Sequence, residues 1–164
     1  RDSWRVEMQP LPFEPISKML LFLHLAAAIV ALGSCVHLLV RFTYALKGAH
    51  SPQVRLHSRI LAVSYTIAFV LGGLIYPTFR IRVRHDYLDA ALPWATGLFE
   101  IKELGASLAL LPAIGIWLLV RSIDFDAKEH RPYVVTCMAL AASVLAVLAY
   151  NAWTGWYLGT LRSI

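Results

Sequence analysis

SKMLLFLHLAAAIVALGSCVHLLVRF, residues 17–42, carries charge only at Lys18 and Arg41, near its two ends. Between them lie apolar and small residues and two histidines. A bilayer core takes roughly 20 predominantly apolar residues in a helix, and this stretch supplies them. It is too long for the apolar region of a cleavable signal, and no small-x-small cleavage pattern follows before Arg41, so it reads as a membrane span.

Three further stretches meet the same length, at about 58–79, 97–120 and 133–158. Short polar connectors between them hold most of the Arg and Lys. Across 164 residues the chain is 59% hydrophobic and 15% charged, with a mean hydropathy of +0.62. A soluble domain of this size needs more polar surface. The expectation is an all-α integral membrane protein, multi-pass, built as a four-transmembrane-helix antiparallel bundle in a single domain over 1–164. A bacterial inner membrane is its expected location. Residues 1–16, with Pro10, Pro12 and Pro15, read as an extended arm, and Ser17 as the N-cap of the first span.

The net charge of +5 does not mark a nucleic-acid binder, because no globular basic face exists to carry one. Charge flanking membrane spans accounts for it. The lipid bilayer is the expected partner, together with other membrane subunits or a second copy of the chain. Cys35 and Cys137 are too few for a disulfide framework and read as small core residues.

Antiparallel spans define two faces. Face one bears the N-terminus, the 80–96 segment and the C-terminus; face two bears the 43–57 and 121–132 loops. Face one holds eight Lys/Arg and face two seven, a balance that decides nothing by itself. The shorter, denser loops favour face two as cytoplasmic. Tyr76, Trp94, Trp153, Trp156 and Tyr157 gather at the face-one border, and Tyr44 and Tyr133 at the other, as an interfacial belt does.

Ionisable groups at membrane depth are expensive and usually face a bundle interior or a cofactor. His24 and His37 lie on the first span, Glu100 and Glu103 open the third, and Asn151 lies on the fourth. His57 and His85 flank the second span. At about 1.5 Å per residue, these groups collect at two levels, one near each face. Two separate sites fit that better than a continuous proton or solute path.

The thirteen-residue spacing of His24 and His37 gives about 20 Å along the helix. This resembles the way membrane cytochromes b hang two haems from one helix, one near each face. It departs from them in phase: thirteen steps of about 100° leave the rings roughly 140° apart, where fourteen would nearly align them. The expected haem ligands are therefore pairs from neighbouring spans, His37 with His57 near face two and His24 with His85 near face one. Neutral imidazole pairs are axial ligands suited to electron transfer. Gly33, one turn before His37, and Gly72 and Gly73 would let a flat macrocycle approach, although such glycines more often mark helix packing.

Glu100 and Glu103 share a helix face, and with His24 and His85 they form a candidate His/Glu metal set. Glu103 is alternatively a proton relay at a quinone pocket. TFRIRVRHDYLD, after Pro77, places Arg80, Arg82 and Arg84 at alternate positions. An extended backbone would set all three on one side; a helix would scatter them. Their candidate partners are haem propionates, lipid headgroups, or Asp86 and Asp89 within the same segment.

No nucleophile motif, phosphate loop or nucleotide fingerprint occurs. The expected function is a membrane electron-transfer protein, or a subunit of a membrane oxidoreductase, that binds haem b and exchanges electrons with quinone. The alternatives are a non-catalytic anchor or assembly subunit, a His/Glu metal-binding protein and a small transporter.

Overall fold

The structure, a computed structural model, describes residues 11–48, 52–123 and 128–161. They form helix α1 (Ser17–Leu46), α2 (Gln53–Phe79), a π-helical segment Arg80–Leu88, the single turn α3 (Asp89–Ala91), α4 (Pro93–Ser122) and α5 (Arg131–Leu161). Two 3₁₀ turns, Glu14–Ile16 and Lys128–His130, precede α1 and α5. No strand occurs among the described residues. Four helices are long and apolar enough to cross a membrane, and each contains one of the expected spans.

Polarity alone does not distinguish the inner and outer faces of these helices, because both are apolar. Size and spacing do. The buried positions run Ala31, Cys35, Leu38, Phe42 on α1, Ala109, Ala113, Ile116, Val120 on α4, and Cys137, Ala141, Val144, Leu148 on α5. Steps of three and four keep each set on one side of its helix. Alanine and cysteine are frequent there, and such small side chains let helix backbones approach closely. The outward positions carry bulk instead, with Phe22, Leu108 and Leu111 all exposed. α1 packs on α2 and α5, and α4 packs on the same two helices.

Polar side chains bind these helices to one another. Tyr65 donates to the carbonyl of Ala106 at 2.9 Å, joining α2 to α4. The Cys35 thiol donates to the carbonyl of Ala141 at 3.3 Å, joining α1 to α5. Tyr150 on α5 donates to the carbonyl of Leu98 on α4 at 3.3 Å. Cys35 and Cys137 are both buried and unbridged.

Three local expectations change. Ser17 is the first residue of α1 and not its N-cap; Ile16 holds that place, with no side-chain cap, after the Glu14–Ile16 turn. The first ten residues of the expected arm lie outside the described residues, but from Glu14 the chain is already helical and not extended. The second span does not end near residue 79. Pro77 sits inside α2, where it cannot donate to the helical ladder, and helical winding continues to Ala91. Just past the proline the bonding widens to i→i+5, one way a helix absorbs such a disturbance.

Beyond this segment a second apolar cluster of Val83, Leu88, Ala95, Phe99 and Leu158 seals the face-one end. Trp94 and Trp153 both lie against Tyr157, the Trp153–Tyr157 pair stacked with ring centroids 5.6 Å apart.

Candidate functional site

Near face two, α1 presents His37 and α2 presents His57, and their ring centroids are 5.1 Å apart with a 53° tilt. The pair anticipated from depth and neighbouring spans is brought together. His37 is exposed on the flank of the α1–α2 seam, while His57 is half-buried within it. The His57 Nδ1 is buried with no hydrogen-bond partner. One turn from His37 toward mid-span, Gly33 faces open space. One turn in the other direction stands Arg41, close enough to act electrostatically on His57.

Near face one the arrangement differs. His24 donates its Nδ1–H to the carbonyl of Ala68 on α2 at 2.7 Å. A carbonyl can only accept, so this bond fixes the proton on Nδ1 and leaves Nε2 as the free lone pair. Gly72 makes the room: a Cβ there would meet the ring at Cε1, 3.3 Å away, and at Nδ1, 3.4 Å away. Gly72 therefore accommodates an imidazole. His24 and His37 both lean on α2 but from opposite flanks, as their 140° separation requires. The His24 flank turns inward, where Lys102 of α4 lies within electrostatic reach. The His37 flank turns outward.

His85 does not join His24. Its ring is 77% exposed and its Nδ1 pairs with the adjacent Asp86 at 3.1 Å. Glu100 pairs with Arg84 at 2.6 Å. Glu103 stands in the combined field of Arg84, Lys102, Arg80 and Glu100. Among the described residues no group of three or more His, Cys, Asp or Glu side chains could hold a metal ion. The set His24, His85, Glu100 and Glu103 is thus divided among separate partners.

The arginine run takes helical form, and its three side chains scatter. A turn of the π-helix holds more than four residues, so Arg80 and Arg84 nearly share a side and Arg82 faces away. Arg82 grips Glu14 with Nε and Nη2 at 2.8 and 3.3 Å, fastening the turn before α1 to the end of α2. That guanidinium, helped by the backbone N–H of Leu11, holds the Glu14 carboxyl below the usual carboxylate range. Arg84 spans Glu100 and Asp89, the latter at 3.6 Å and itself accepting from Thr96 at 2.7 Å. Arg80 lies over the Tyr76 ring at 5.9 Å. Of the two expected acids, Asp89 pairs with Arg84, and Asp86 meets His85 while also acting electrostatically on Arg82.

Three interior polar groups, Lys102, Thr78 and Thr154, were not anticipated. Lys102 places Nζ 5.8 Å over the Phe99 ring and 3.3 Å from where a Cβ on Gly155 would stand. The oxygens of Thr78 and Thr154 are buried without partners, as is Oδ1 of Asn151. Gly155 is the one clue to the lysine, since it leaves the room that Nζ occupies; threonines in an apolar run carry no comparable signal.

No family model, curated protein or solved structure matches the chain.

Proposed function

We propose that this protein is an antiparallel four-helix membrane bundle that carries electrons, alone or as a subunit of a membrane oxidoreductase, by binding b-type haem between α1 and α2. His37 and His57 would hold it. Several contact pairs favour the antiparallel order, because residue numbers fall on one helix as they rise on its neighbour. His24 meets Ala68 while His37 meets His57, and Phe79 stacks on Phe99 while Tyr65 reaches Ala106.

The observation that carries the reading is the facing imidazole pair. Metal–imidazole bonds of about 2 Å place opposed ring centroids roughly 6 Å apart. The 5.1 Å separation is about 1 Å short of that, within reach of a side-chain adjustment on the exposed His37. A bare ion needs three or four protein ligands, whereas an iron already held by a macrocycle needs only two. Two histidines without a third ligand among the described residues match the second case. The open space at Gly33 leaves room beside the ligand, and Arg41 offers a partner for a propionate. Engaging the His57 ring through Nδ1 would also give that buried nitrogen a partner.

The bound group would supply one-electron chemistry. The chain itself would orient two imidazoles, hold a carboxylate at Arg41 and keep the site in a low-dielectric wall. One haem is proposed, not two, because among the described residues His24 has no second histidine beside it. Quinone remains the proposed exchange partner, with Glu103 among Arg80, Arg84 and Lys102 as the group suited to moving a proton. A reduced-minus-oxidised spectrum of detergent-purified protein from haem-replete cells tests the reading. Soret and α bands are expected, and their absence would overturn it.

The His24–Ala68 bond favours a second reading, a non-catalytic anchor subunit. It belongs with the Tyr65, Cys35 and Tyr150 bonds as a fastener between helices. If alanine at His37 and His57 lowers stability alone and leaves electron transfer per complex unchanged, this second reading replaces the first.

A further inference from the structure

Near the face-two border a groove of about 670 Å³ opens between α2 and α4, lined by Arg55, Leu56, Arg59, Val63, Trp117 and Arg121. Arg55 and Arg59 are one turn apart on α2, and Arg121 approaches from α4. The Arg121 guanidinium rests 5.2 Å over the Trp117 ring, which fixes its position on the groove wall. All three arginines are exposed. None has a carboxylate partner among the described ion pairs, which for arginine all lie at the opposite end, at Arg82 and Arg84.

Among the described residues no carboxylate pairs with these three guanidinium groups around one groove, and an anion between them would relieve their mutual repulsion. Their planar forks suit two-point recognition of phosphate or carboxylate oxygens. The groove is also graded along the membrane normal. The guanidinium groups lie toward the helix ends, while Val63 lies one turn deeper than Arg59 on α2 and Trp117 one turn deeper than Arg121 on α4. Val63 is 47% exposed, so this apolar wall is open to an occupant. Charge at the rim above an apolar wall is the profile of an amphiphile entering sideways from the bilayer. A hydrophilic anion would leave the lower wall unused.

We propose that the α2–α4 groove binds one anionic phospholipid, its headgroup held by Arg55, Arg59 and Arg121 and its acyl chain laid along Val63 and Trp117. Basic pockets between membrane helices take such headgroups, and face two has the denser basic loops. The site is on a different seam from the histidine pair and does not depend on haem binding.

The test is native mass spectrometry of delipidated full-length protein in detergent, with phosphatidylglycerol or phosphatidylcholine of identical chains added. Phosphatidylglycerol should be retained in preference, by roughly fivefold for each arginine engaged. Combined Arg55→Gln, Arg59→Gln and Arg121→Gln should abolish the preference, while Lys18→Gln, at the other end of the bundle, should leave it intact. If the triple variant does not fold, Arg59→Gln and Arg121→Gln taken singly should each reduce the preference by about fivefold. Millimolar inorganic phosphate should fail to displace the lipid. Equal retention of the two lipids would overturn the proposal, as would retention insensitive to these arginines. Displacement by phosphate alone would overturn the lipid assignment in favour of a free phosphate compound.

Discussion

His37 and His57 place their ring centroids 5.1 Å apart across the seam between α1 and α2. The contact arises where the exposed flank of one helix meets the half-buried flank of its neighbour. An open flank on one side and protein on the other surround two nitrogenous rings, and the buried Nδ1 of His57 has no hydrogen-bond partner. Such rings either bond each other, as interhelical glue, or bind a group that takes two ligands. The predictions below separate structural bonds from functional ones.

His24 and Gly72 should be energetically coupled. His24→Ala removes an interhelical bond worth about 0.6 kcal/mol on average and up to about 1.7 kcal/mol. Gly72→Ala in the native background presses a Cβ against the ring at 3.3 Å. In the His24→Ala background that pressure is gone, and the gain in helix propensity of up to about 1 kcal/mol makes the same change neutral or stabilising. A double-mutant cycle of unfolding in micelles reads the difference, and strict additivity would refute the contact.

Tyr65→Phe should cost little, about 0.6 kcal/mol, although Tyr65 is buried and its hydroxyl joins α2 to α4. The acceptor is a carbonyl within α4, which keeps its helical N–H partner when the hydroxyl is lost, so no buried group is orphaned. A loss above about 3 kcal/mol would mean that the hydroxyl does more than fasten two helices.

Glu14 should titrate below an ordinary glutamate. Its folded value is depressed, first by the bond from Arg82, so the stabilisation is complete above the unfolded value near 4.3. It is lost as pH falls through the lower folded value. The pair is at the surface and should weaken in molar salt. Carboxyl carbon NMR should show the depressed midpoint, and Arg82→Gln should return it toward the ordinary range. A midpoint unchanged by that substitution would refute the pairing.

The sequence made some features legible and hid others for physical reasons. Span count was readable because the need for about 20 apolar residues is a property of composition, not of partners. The His37–His57 pair was readable from depth and the order of neighbouring helices. His24 was not, because its partner is a backbone carbonyl, and every residue has one. The arginine run misled in a different way. Its polarity and Pro77 look like a helix exit, yet the π-helical segment carries winding through and turns Arg82 away from Arg80 and Arg84. Glu14, the acid that Arg82 meets, is 68 residues distant in sequence, and no local pattern announces such a pair.

Optical spectroscopy of single-histidine variants tests the haem reading most directly. Wild-type protein purified from haem-replete cells should show a reduced-minus-oxidised α band and about one haem per chain. His37→Ala and His57→Ala should each abolish or shift that band, and His24→Ala should retain it. A chain without haem, or a band that survives loss of both His37 and His57, would contradict the account.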